Sequence, residues 1–105
     1  VLVDLTPVGD GTPAAIALGQ NHPNPFNPKT TIGFALPEAT RVALDIYSAS
    51  GQHVASLQDG FLPAGQQQVV WNGTDDAGRP VGSGMYFYRL QAGAWSETKK
   101  MMLLK

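Results

Sequence analysis

From Thr30 onward the chain alternates apolar and polar residues in steps of two, and no segment of ten residues carries helical spacing with caps. Ile32, Phe34 and Leu36 fall on one face of a first stretch, and Val42, Leu44 and Ile46 on one face of a second. Val69 with Trp71, and Tyr86 with Tyr88 and Leu90, repeat the pattern further on. Successive side chains of a strand point to opposite sides, so such stretches bury their apolar faces by stacking sheets. The pattern predicts strands over 30–36, 41–48, 53–58, 66–71, 85–91 and 95–104. Val54 and Leu57 are three apart, which predicts a bulge in the third of these. Turn signals separate them: Pro37-Glu38, Ser50-Gly51, a loop over 59–65, and Ala92-Gly93 as a tight hairpin. The fold class that follows is all-β, an antiparallel immunoglobulin-like β-sandwich of about seven strands.

The stretch 69–90 organises the rest. Apolar and aromatic residues at its two ends flank a middle rich in Gly, Asn, Asp and Pro. There an Asp75 side chain can bond the backbone two residues on, and Gly78 can take a positive φ without steric cost. This reads as two strands joined by an ordered connection. Its rings, Trp71 among them, take the central place that a disulfide would hold, since the chain has no cysteine.

Composition narrows the function. Seven basic and eight acidic residues leave a net charge of −1, which gives no electrostatic basis for binding nucleic acid. No apolar run approaches the roughly 20 residues of a membrane helix. Five of the eight prolines fall within the first 28 residues, which makes this part extended and poor in ladder hydrogen bonds. Residues 1–17 read as the tail of an interdomain linker in which a short strand at 1–5 is broken, and 18–105 as the folded domain. Around Phe26, the run His22-Pro23-Asn24-Pro25-Phe26-Asn27-Pro28 holds three X-Pro bonds and is stiff, polyproline-like or turn-rich. In one reading Phe26 plugs the open end of the core while the prolines stop further strand pairing. In the other, Pro25-Phe26-Asn27-Pro28 is a ligand for a groove-binding domain.

Little in the chain resembles a reaction centre. His22 and His53 share no metal-ligand spacing, and no nucleophile motif or phosphate loop occurs. Asp75 and Asp76 are adjacent and tend to point apart, which suits turn formation better than paired acid catalysis. Calcium held by these two and loop carbonyls is the metal alternative. Asn72-Gly73-Thr74 matches a glycosylation sequon, but Asn-Gly is expected in a turn for geometry alone. The expectation is no enzyme, no metal and no cofactor. Tyr47, Phe87 and Trp95 are the candidates for exposed rings that could stack on sugar. At the C-terminal end Lys99, Lys100 and Lys105, three of the seven cations, surround Met101-Met102-Leu103-Leu104. That is either a final strand buried on both faces or a basic, apolar tag read by a partner.

Taken in order, N-H-P-N-P-F-N-P-K-T-T-I-G-F-A-L-P, I-Y-S-A-S-G-Q-H-V-A-S-L, L-P-A-G, V-V-W-N-G-T-D-D-A-G-R-P-V-G-S-G-M-Y-F-Y-R-L and K-K-M-M-L-L-K resemble the C-terminal sorting domains of type IX secretion. They are also similar to the related immunoglobulin-like domain of the flagellar hook-capping protein. The resemblance spans about residues 18–105. It implies a monomeric β-sandwich following a secreted passenger domain, recognised by outer-membrane secretion machinery and then by a surface-attachment enzyme. Matched by position, the first motif is Pro23, Asn24, Pro25, Phe26 and Asn27, and the glycine-turn motif is Gly51. The central motif is Trp71, Gly73, Asp75, Gly78, Gly84 and Tyr86. The terminal one covers Lys99, Lys100, Met101, Leu103 and Lys105, which together with Phe26 are the expected recognition residues. His22 departs from the family, which usually has an aromatic there; looser packing is the expected consequence. The other function class is a carbohydrate-binding or spacer module of an extracellular enzyme.

Overall fold

The computed structural model describes residues 15–105, which form seven strands and no helix. Strands β1 (Ala17–Leu18), β2 (Thr30–Leu36) and β5 (Gly65–Trp71) make a three-stranded sheet in the order β1-β2-β5. Strands β3 (Thr40–Ser48), β4 (His53–Leu62), β6 (Gly84–Ala92) and β7 (Trp95–Leu103) make a four-stranded sheet in the order β4-β3-β6-β7. Every pairing is antiparallel. The core lies between the sheets, built from the alternate residues that the period of two singles out: Ile32, Phe34 and Leu36 oppose Val42, Leu44, Ile46, Tyr88 and Leu90.

Several boundaries differ from the sequence reading, each for a tertiary reason. Strand β4 continues through Leu62, so the loop expected over 59–65 is mostly strand. The start of β3 supplies its partners, with Val42 opposite Gly60 and Thr40 opposite Leu62. Ladder pairing outweighs the local turn preference of Asp59-Gly60. The register shifts between Leu44 and Asp45 and between Ile46 and Tyr47. That is the irregularity which the spacing of Val54 and Leu57 requires.

Strand β7 is buried on one face only, not both. Met101 and Leu103 are buried, whereas Ser96, Thr98 and Lys100 are exposed. As an edge strand it is opposed by the other sheet on a single side. Strand β1 pairs Ala17 with Ala35, so pairing begins at the last residue assigned to the linker. The short strand considered at 1–5 lies outside the described residues.

One end of the sandwich is closed by rings. There β2, β4 and β6 begin and β3, β5 and β7 finish. Trp71, 1 % exposed, meets Phe26 at 5.6 Å between centroids and Tyr86 edge-on at 5.4 Å. Such tilted contacts add to area burial because the edge of one ring faces the π-cloud of the next. The Trp71 indole N–H donates to the Thr74 carbonyl at 2.8 Å, so its polar group stays satisfied. Truncating this residue removes the ring that joins both sheets. Trp71→Ala is expected to cost about 3–5 kcal/mol in urea unfolding, as for large core aromatics; a cost under about 1 kcal/mol would contradict this packing.

Candidate functional site

The terminal strand and the groups that hold it form the candidate site. An edge strand leaves a row of N–H and C=O groups unpaired, and the segment from Gln20 to Phe26 satisfies those at the C-terminal end of β7, from Lys100 onward. The Phe26 N–H donates to the Met102 carbonyl and the Leu104 N–H to the Phe26 carbonyl, both at 3.0 Å, as a parallel bridge. The Met102 N–H donates to Asn24 Oδ1 at 3.0 Å, and Gln20 Nε2 to the Lys100 carbonyl at 2.9 Å. Prolines 23, 25 and 28 have no N–H of their own and stay exposed, so pairing stops with this one layer. Phe26 itself is 2 % exposed. This geometry is that of the capped edge, with Phe26 as its plug.

Beneath the cap sits a buried polar knot. Asn21 and Thr30 are 2 % and 1 % exposed. Asn21 Nδ2 donates to Thr30 Oγ1 at 2.9 Å, and Thr30 Oγ1 donates to the Pro23 carbonyl at 2.9 Å. The Tyr88 hydroxyl donates to the Gly19 carbonyl at 2.7 Å and accepts from the Asn21 N–H at 2.9 Å. Burial raises the Tyr88 hydroxyl above the ordinary phenol value, which keeps it a neutral donor. Sequence reasoning passed over Asn21 and Thr30. The signal was present, since carbonyls in a proline-rich segment need donors that the segment cannot supply.

The central motif closes the same end. Gly73 has a φ of 75°, and a Cβ there would stand 3.2 Å from the Pro28 carbonyl oxygen and 3.7 Å from Leu103. Only glycine combines that conformation with that approach. Gly84 pairs with Leu103 where β6 begins, and Gly51 donates to the Ser48 carbonyl in the β3–β4 turn. Asp75 Oδ1 accepts from the Ala77 and Arg79 N–H groups, both at 3.0 Å, and Gly78 donates to the Asp75 carbonyl. Asp76 turns the other way, accepting from the Ser56 N–H at 2.9 Å and donating its own N–H to the Val54 carbonyl at 3.2 Å. The two carboxylates therefore bind different backbone segments, Asp75 its own loop and Asp76 the strand β4. Among the described residues no group of three His, Asp or Glu side chains is placed to hold a metal ion.

Position along β7 divides the lysines. Lys99, on the inward-facing row, pairs with Glu97 at 3.3 Å, while its neighbour Lys100 points to the opposite, outer face. Lys105 lies beyond the strand, its N–H donating to Ser83 Oγ at 2.9 Å. They do not make one patch. Tyr47 and Phe87 are half-buried register partners on the outer face of the four-stranded sheet, and Trp95 packs partly against the core. His22 is exposed and joins Thr31 through backbone bonds alone, so packing does not call on its ring.

A family model described as the FlgD Ig-like domain matches residues 22–96. The chain belongs to the FlgD Ig-like domain family. Solved structures share the fold of this family member. PorU of Porphyromonas gingivalis, described as dimeric and latent, matches at a TM-score of 0.67 and 20 % identity over 85 % of this chain and 9 % of its own. PorZ of the same organism, described as an essential surface component of the type IX secretion system, gives 0.58 and 18 % over 85 % and 12 %. FlgD of Xanthomonas campestris, described in connection with the hook capping essential for flagellar assembly, gives 0.57 and 22 % over 87 % and 63 %. The chain thus spans a small part of the first two. No curated protein matches it in sequence.

Asp75 supplies a pH test of the central loop. Hydrogen bonds from the Arg79 and Ala77 backbone, with the Arg79 guanidinium, hold its carboxyl below the ordinary aspartate value despite some desolvation. A lowered folded value contributes stability that is complete above the unfolded value and lost as pH falls through the folded one. The melting temperature of Asp75→Asn should therefore lie below that of the unchanged chain by a constant margin from pH 8 to 5. The margin should shrink below about pH 4, where aspartate protonates. A margin independent of pH down to about 2 would contradict this role.

Proposed function

We propose that this chain is a non-catalytic secretion and cell-surface attachment signal domain, recognised by type IX outer-membrane machinery and its surface-attachment enzyme. In this reading the domain follows a passenger in a secreted bacterial protein, acts as a monomer and needs no cofactor. The observation that carries it is a convergence. The Phe26 segment, the Trp71–Gly73 motif and the last residues of β7 meet at one end of the sandwich, and they are the stretches that resemble sorting domains. The fold likeness to PorU and PorZ supports the same assignment. A domain read by its terminal strand needs that strand held in one conformation, and the capped edge of β7 supplies this. Asp75 and Asp76, the adjacent carboxylates of the central motif, accept backbone N–H groups of Ala77, Arg79 and Ser56, which suits a structural role for that motif.

Fusion to an unrelated passenger in a bacterium with the type IX pathway tests the reading. The passenger should reach the cell surface with this chain attached, and should be retained when residues 99–105 are deleted. Retention of the passenger with the complete chain would favour a spacer module instead.

A further inference from the structure

Sheet faces turned to solvent normally carry polar side chains. The outer face of β3, β6 and β7 divides into two halves. Away from the capped end it presents Ala43, Gln91, Ser96 and Thr98. Towards the capped end it presents Tyr47 beside Phe87, and Met85 directly opposite Met102. None of these four is part of the buried core, and Met85 is 37 % exposed. Lys100 lies opposite Phe87, and Arg89 follows on the same face. Neither cation has an ion pair among the described residues, since Asp45, opposite Arg89, is engaged by His53 at 3.2 Å. A shallow pit of about 130 Å³ opens between Asn24, Met85, Lys100 and Met102.

From this arrangement we infer that Met85, Phe87, Met102 and Lys100 form the docking surface for an acidic, apolar protein partner of the export machinery. The inference rests on the secretion reading and gives it a specific surface. Methionine suits such a role because an unbranched, polarizable side chain conforms to a partner without a fixed shape. Charge selects the occupant. A second copy would bring Lys100 and Arg89 of each chain towards like charges, which opposes self-pairing. A partner with carboxylates around an apolar centre would meet both cations and fill the pit. The surface adjoins the Asn24–Met102 contact, so the capped edge sets the position of the methionines.

The test uses the complete chain fused behind a passenger in a host with the type IX pathway. Met85→Ser with Met102→Ser, and separately Lys100→Glu, should lower surface delivery roughly tenfold or more, the scale of lost hot-spot contacts. Val70→Ser, on the exposed face of the other sheet, should leave delivery unchanged. Thermal unfolding of each purified variant should match the parent, which separates docking from folding. Equal delivery by the parent and both patch variants would overturn this surface and leave the secretion reading intact. Failure of the unchanged fusion would overturn both. Dimerisation, or sedimentation with phosphatidylglycerol vesicles, that is abolished by the methionine substitutions would assign the patch to a second copy or to lipid and overturn the inference.

Discussion

The bridge between Phe26 and the end of β7 is the contact on which the rest depends. Its two backbone hydrogen bonds tie the proline-rich segment to the last strand, and its ring reaches Trp71 below. Trp71 belongs to the three-stranded sheet and Tyr86 to the four-stranded one, so the ring cluster also joins the layers. Removing the segment would expose an edge strand and open the core at the same place. Each such backbone bond contributes only about 0.5–1.5 kcal/mol net, but an unpaired buried partner costs more than the bond returns. The apolar burial of Phe26 and the edge pairing therefore support each other.

Much of this was legible in the sequence because period and turn chemistry are local. Alternation placed Ile32, Val42, Tyr88 and Leu90 on inward faces, and Asp75 with Gly78 identified the loop after β5. Edge partners were less accessible, since the period of two reports which face a residue takes but not what lies beside the strand. Nothing local shows that Asn24 bonds Met102, or that Asp76 covers Val54 and Ser56. The extension of β4 through Leu62 is hidden in the same way, because its partners lie some twenty residues earlier in β3. The separation of Lys99 from Lys100 was available in principle, since neighbours in a strand face opposite ways.

The proposed function draws on how the edges are treated. In the four-stranded sheet, the C-terminal end of β7 is covered by the segment from Gln20 to Phe26 and part of β4 by Asp76. Protected edges keep a sandwich from pairing strand to strand with other chains. The surface inferred for recognition is the outer face near the capped end, where apolar side chains lie beside Lys100 and Arg89. In this view, the motifs shared with sorting domains act by fixing the platform, and the exposed side chains beside them make the contact.

The claim that the proline-rich segment and the terminal strand form one cooperative unit with the core is tested most directly by native-state amide exchange on the complete chain. The Phe26 and Leu104 amides should open with the same free energy as those of Tyr88 and Leu90, as members of a single unfolding unit. Exchange of Phe26 and Leu104 through a low-energy local opening, with the β6 amides still protected, would contradict the account.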